Sequence, residues 1–248
     1  MRRSVEDLNR FYTTPEGMMA RQMVSDKLME AWDDVTGLDV LGLGYATPYL
    51  APFAKARRVL AAMPAAQGAE IWPEDLRVRS VLVDEQALPF SGGLFDRILL
   101  IHALEEAQNP ERLLLEASRL LSPNGRLIIA VAARGGFWAH AEKTPFGHGL
   151  PYSRMQLETA IRDAELEPLA WSYALYTPPW RALTRWSKTI EMIVPNVLPM
   201  NGGLILMEAG RRPFVALTQK SADKSILSDI REALGAKPVP TAREIEKA

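Results

Sequence analysis

Residues 38–48, Leu-Asp-Val-Leu-Gly-Leu-Gly-Tyr-Ala-Thr-Pro, constrain this chain more than any other stretch. A short apolar run that ends in glycines and passes into a proline-started helix reads as a buried strand followed by a tight turn. In an open α/β sheet such a turn lies at the carboxyl edge, where backbone can approach a nucleoside-type ligand. Two glycines alone fit an ordinary strand-to-helix turn equally well.

The rest of the chain repeats that alternation. Arg58–Ala62 and Ser80–Val83 read as further strands, and Phe95–Ile101 is a nearly continuous apolar run suited to a central strand buried on both faces. Asn109 or Pro110 opens a helix to Leu121, the turn Ser122-Pro123-Asn124-Gly125 closes it, and Arg126–Val131 follows as a strand. Upstream, Thr14 caps a helix begun by Pro15 that carries Met18, Met19, Met23, Leu28 and Trp32, an apolar stripe that serves as core more readily than as ligand lining. Downstream, Ser153 caps a helix to about Ala164, Leu169–Tyr176 reads as a strand, and Trp180, Leu183, Trp186, Ile190 and Ile193 recur at helical spacing. Gly203–Glu208 reads as the last strand. The pattern predicts an α/β fold, a mostly parallel sheet with helices on both faces. The polar tail reads as a flexible extension with a short helix at Ile226–Leu234.

Composition closes several routes. A net charge of -1 argues against a broad basic surface, so no nucleic acid is expected as partner. Without cysteine there is neither disulfide nor thiolate nucleophile. No apolar run is long enough for membrane insertion, and Met1-Arg2-Arg3 leads into polar sequence rather than a leader's apolar core, so a cytoplasmic location is expected. The dinucleotide fingerprint fails because Thr47 stands where its third glycine belongs and no acid ends the second strand. A phosphate-binding loop fails for want of a Lys-Ser or Lys-Thr after the glycines.

Four segments in order resemble the class I adenosylmethionine-dependent methyltransferases, specifically the ubiquinone and small-molecule group of methyltransferase type 11. Gly42-Leu43-Gly44-Tyr45-Ala46-Thr47-Pro48 resembles their first motif, and Asp84-Glu85-Gln86-Ala87-Leu88-Pro89-Phe90 the segment that contacts adenine. Phe95–Glu105 is similar to their fourth strand, and Leu113–Val131 to their helix, turn and fifth strand. The resemblance implies a Rossmann-like, seven-stranded fold with S-adenosylmethionine as cofactor, and a methyltransferase-like domain over residues 1–218. That domain would comprise N-terminal helices in 1–37, a cofactor-binding core in 38–133 and an acceptor-side region in 134–218, with the tail from 219. It implies cofactor contacts at Gly42, Leu43, Gly44, Tyr45, Asp84, Glu85, Gln86, Ala87 and His102. Backbone amides of 42–45 would receive the methionine part, and Asp84 would accept from the adenine amino group unless it only forms the turn. A bulky side chain at Gly44 is expected to block the ligand with the fold retained. Three departures stand out: Gly42 replaces the motif's leading acid, Pro48 its last glycine, and Met63-Pro64 end the second strand where the family places a ribose-binding acid. Gln67 is a neutral substitute.

Methyl transfer needs mainly alignment, because the sulfonium is already an activated donor. A base is required only where the acceptor must lose a proton. His102 at the end of the fourth strand and His148 between two glycines are the candidates, each with a purely structural alternative. Trp171, Tyr173, Tyr176, Trp180 and Trp186 would roof an acceptor, pack in the core, or pair the region 171–193 with a second copy or another protein, a role equally open to the tail. Two functions remain open from the sequence. One is methyl transfer to a small-molecule acceptor; the other is a protein of this fold without turnover, acting as cofactor sensor or partner subunit.

Overall fold

The computed structural model describes residues 2–74, 77–197 and 202–212. The expected domain end at 218 and the helix expected at Ile226–Leu234 lie outside them. Met1–Arg212 forms one compact unit built on a seven-stranded sheet.

The strands are β1 (Asp39–Gly44), β2 (Arg58–Pro64), β3 (Ser80–Val83), β4 (Phe95–Ile101), β5 (Leu121–Ala132), β6 (Leu166–Ala174) and β7 (Leu204–Arg211). Their order is β3-β2-β1-β4-β5-β7-β6; the first five pair in parallel, and β7 runs antiparallel to both β5 and β6. The chain leaves β1 toward β2 and β3, then returns to build β4 on the other side. The switch point therefore falls between β1 and β4, where open α/β sheets bind ligands.

The predicted helices form with the caps read from the sequence. Thr14 accepts from Gly17 N–H ahead of α2 (Pro15–Ala31), and Asn109 accepts from Arg112 N–H ahead of α4 (Pro110–Leu120). Ser153 and Gln156 make a reciprocal capping box for α5 (Arg154–Asp163). A separate α1 (Val5–Tyr12) precedes α2. The helix after β1 is a single turn, α3 (Thr47–Leu50), extended by a 3₁₀ turn to Phe53. The residues from Trp180 to Ile193 form a 3₁₀ stretch (Arg181–Trp186) and α6 (Ser187–Val197).

Two apolar clusters, one per face, hold the layers together. One packs Leu8, Val24, Leu28 and Trp32 against Val40, Leu99 and Leu206; the other packs Leu113, Leu114, Leu157 and Ile161 against Leu41, Ile98 and Met207. β1 is buried along its whole length and β4 from Ile98 onward, as a central strand between two helical layers requires. The stripe on α2 is largely core: Met19, Leu28 and Trp32 are buried, whereas Met18 is exposed. The turn predicted at 122–125 lies within β5: pairing with β4 jumps from Phe95–Leu121 to Arg97–Arg126, so four residues loop out of the ladder.

Candidate functional site

The turn after β1 is built by close packing rather than by openness. Gly42 and Leu43 sit inside the ladder between β2 and β4, so their amides face neighbouring strands. Tyr45 N–H donates to Ile101 O at 3.0 Å. Gly44 has φ +94°, and a Cβ there would stand 2.3 Å from Ile101 O and 2.8 Å from the Ala103 side chain. This corrects the expectation for Gly44: a side chain would strike the β4 backbone, so the fold itself requires glycine.

Four rings fill the space beyond that turn. Tyr12, from α1, stacks on Tyr45 at 5.8 Å and meets Tyr49 edge-on. The Tyr12 hydroxyl lies 2.7 Å from the Tyr49 hydroxyl and 2.6 Å from His102 Nε2. His102 is buried with φ +49°, a conformation uncommon outside glycine, and its Nδ1 lies 3.5 Å from Glu105 Oε1. Burial, with Tyr49 alongside, holds the Tyr12 phenol well above its ordinary range; burial and the Glu70 carboxylate do the same to Tyr45. All three phenols stay protonated at neutral pH.

Glu70 is a site residue that no local motif announces. Its carboxylate accepts from Thr47 Oγ1 at 2.5 Å, Tyr45 OH at 3.1 Å and Asn9 Nδ2 at 3.2 Å. Its backbone is pinned to the adjoining strands, N–H on Met63 Sδ and carbonyl accepting from Ser80 Oγ. The loop after β2 thus carries an acid to the β1 turn, although the end of β2 has none.

The first residues of the chain run across the carboxyl edge of the sheet. Arg2 donates to Glu85 Oε2 at 2.5 Å and to Ala103 O at 2.6 Å, with its side chain 4% exposed. Arg3 N–H donates to Glu106 Oε2, and Val5 N–H to Gln67 O. Beneath this strap the buried polar atoms lack partners: Gln67 Nε2 and Oε1, His102 Nδ1, Glu105 Oε2, Glu106 Oε1 and both arginine Nε atoms. Among the described residues only Arg97 Nε, elsewhere on β4, shares that condition. Orphaned buried groups of this kind normally satisfy one another or a polar ligand.

The remaining predicted residues spread along the same edge. Asp84 is exposed, and one of its oxygens accepts from Gln86 N–H, so it forms the local turn with the other oxygen left over. Glu85 is buried, taking Arg2 and also Gln108 N–H; Gln86 and Ala87 continue the turn, and the Gln86 carbonyl accepts from Arg112. His148 is exposed and not brought to His102, although its loop is tied to the site because Leu150 N–H donates to Glu105 O. Of the aromatic group, Tyr176 is buried, while Trp180 and Trp186 lie more than half exposed. Among the described residues no group of acids and histidines is set to hold a metal, and no helix is long and apolar enough to cross a membrane.

A glycine turn at the switch point of a sheet with this strand order is the arrangement of the class I methyltransferase fold. Residues 38–129 match the family described as a methyltransferase domain. A methyltransferase of Thermotoga maritima, described as a possible histamine N-methyltransferase, superposes with a TM-score of 0.60 at 18% identity over 84% of this chain and 96% of that one. The methyltransferase solved with the Haloferax volcanii Trm112 activator gives 0.56 at 18% identity over 85% and 99%, and the [4+2]-cyclase SpnF gives 0.54 at 18% identity over 76% and 80%. An uncharacterized protein of Methanocaldococcus jannaschii is 33% identical over 60 residues, 24% of this chain; the match spans 29% of that relative's length. The chain has the fold of the class I adenosylmethionine-dependent methyltransferases, with a methyltransferase domain matched over residues 38–129.

Proposed function

We propose that the carboxyl edge of the sheet between β1 and β4 binds S-adenosylmethionine and that the protein transfers its methyl group to a small-molecule acceptor. The observation that carries this reading is the convergence of unpartnered buried donors and acceptors on that edge. Their chemistry fits the cofactor, which brings an amino acid, a ribose diol and an adenine to be hydrogen-bonded. Gln67, with both amide atoms buried and free, would take ribose hydroxyls in place of the missing acid. Asp84 has an oxygen left for the adenine amino group, and Leu88, buried beside it, offers an apolar wall to the base. Glu105 and Glu106 would face the ammonium end.

Bound there, the cofactor supplies a methyl group on a sulfonium. The chain's own residues then orient and exclude water. The Tyr12–Tyr45 stack must part to admit the nucleoside, and the strap of residues 2–5, closing again, would seal it. His102, with Tyr12 on Nε2 and the Glu105 carboxylate 3.5 Å from Nδ1, would accept a proton at Nε2 once Tyr12 has moved, for acceptors that must lose one.

A second reading, the fold without methyl transfer, is favoured by the same four rings packed over the turn and by the acid missing from the end of β2. That SpnF carries this fold and is described as a cyclase fits it. Thermal-shift titration with adenosylmethionine and adenosylhomocysteine, followed by transfer of a labelled methyl to a metabolite panel, separates the readings. Stabilisation growing with the logarithm of ligand, with label transferred, supports the enzyme. Binding without transfer supports the sensor, and no shift at millimolar ligand leaves only the fold as a partner subunit.

A further inference from the structure

A second cavity opens at the carboxyl end of β5, on the face covered by α5. It measures about 610 Å³, within the range of small-molecule sites, and none of its lining belongs to the β1–β4 edge described above. Met155 and Ile205 make its walls apolar, and Tyr152 and Tyr173 stand on its sides. Two guanidinium groups reach its mouth from the Ala133–Gly136 turn and the first residue of α5.

Those two arginines are held differently, and both keep donors in reserve. The Arg154 guanidinium lies flat on the Trp171 ring, 4.0 Å from its centre, and is braced through Nε by Glu158 at 2.7 Å. Its two terminal nitrogens have no partner among the described residues. A stacked, braced guanidinium has already lost most of its side-chain freedom, so it can bind a carboxylate at little further entropic cost. Arg134 is exposed; its backbone N–H donates to Tyr152 O, and its guanidinium makes one long contact, to Pro151 O at 3.4 Å. Beside it Gly135 faces open space, because a Cβ there would meet nothing within 4 Å.

The local charge selects the ligand's charge. Arg134 and Arg154 line the cavity together with one carboxylate, Glu158, which pairs with Arg154 at 2.7 Å and with Arg162 at 3.6 Å. With Arg162 counted, three guanidiniums share that one carboxylate, so the mouth keeps net positive charge for an anion. The two tyrosines and the apolar walls suit a flat, hydrophobic body.

We propose that this cavity binds a planar aromatic carboxylic acid, its carboxylate shared by Arg134 and Arg154 and its ring held between Tyr152 and Tyr173 against Ile205. The inference goes beyond the methyl-transfer reading and does not rest on it. Its test uses the full chain without any cofactor. Amide chemical shifts of Gly135 and Gly136 are followed by NMR during titration with 2-naphthoate, the neutral 2-naphthamide and 2-naphthyl phosphate. Naphthoate should move both glycines and bind at least about tenfold more tightly than the amide, the usual margin of a charge-assisted hydrogen bond. Arg134→Met and Arg154→Met should each bring the acid down to the amide's affinity. Equal binding of acid and amide, tighter binding of the phosphate, or no movement of the two glycines up to about 10 mM acid would overturn the proposal. The comparison of acid with amide needs no variant, so it decides even if a substitution spoils folding.

Discussion

Replacing Gly44 with alanine should destabilise the protein far more than the loss of one glycine ordinarily does. The residue holds φ +94°, a backbone region that costs an L-residue about 1–2 kcal/mol. The new Cβ would also meet Ile101 O at 2.3 Å and the Ala103 side chain at 2.8 Å, contacts that force β1 and β4 apart. Overpacking of that kind adds about 1–3 kcal/mol, for about 2–5 kcal/mol in all. That is a large part of the about 5–15 kcal/mol that holds a typical domain together. Gly37 supplies the control: its φ is +77°, but a Cβ there would meet nothing within 4 Å, so Gly37→Ala bears only the backbone term. Urea unfolding of the two variants and the parent, read at equal m-values, isolates the difference. If Gly44→Ala and Gly37→Ala lose the same stability to within about 0.5 kcal/mol, the close approach of β1 to β4 is not what demands glycine.

Three further outcomes follow from single contacts. Tyr12→Phe leaves His102 Nε2 and the Tyr49 hydroxyl without their shared partner and should cost about 1–3 kcal/mol in urea unfolding; a loss under about 0.5 kcal/mol would show that the ring cluster holds by packing alone. Hydrogen bonds from the Arg57 guanidinium, with the charge of Arg58 nearby, hold the buried Asp39 carboxyl below its ordinary value. Its contribution is therefore present at neutral pH and disappears as pH falls through that lowered value, so Asp39→Asn should lose less stability than the parent between pH 7 and about pH 3; equal losses would contradict it. Asn109→Ala removes the cap on Arg112 N–H and should cost about 0.5–2 kcal/mol, seen as a lower unfolding midpoint; an unchanged midpoint would place the start of α4 under tertiary control.

The parts of the fold legible in the sequence were those fixed by neighbours in the chain. Asn109-Pro110 and Ser153 cap helices because a side-chain oxygen two or three residues ahead of a free N–H is a local arrangement. The apolar run Phe95–Ile101 signals a doubly covered strand for the same reason. Asp84 behaves as the local reading allowed, turning the chain through Gln86 N–H. The site was harder to read because its contacts join distant residues. Tyr12 reaches His102 across 90 residues and Arg2 reaches Glu85 across 83, and neither spacing leaves a pattern in the chain. Glu70 stays hidden because a loop, not the end of β2, delivers it. The glycine motif pointed to a turn at the switch point, but Gly42 and Gly44 serve strand packing there, which a motif cannot distinguish from contact with a ligand.

A crystal structure grown in saturating adenosylhomocysteine tests the central claim most directly. The account predicts the nucleoside between the β1 turn and Leu88, with the Tyr12 ring lifted from Tyr45 and Gln67 turned to the ribose. Crystals in which Tyr12 still stacks on Tyr45 and Arg2 still holds Glu85, with no nucleoside along that edge, would contradict it.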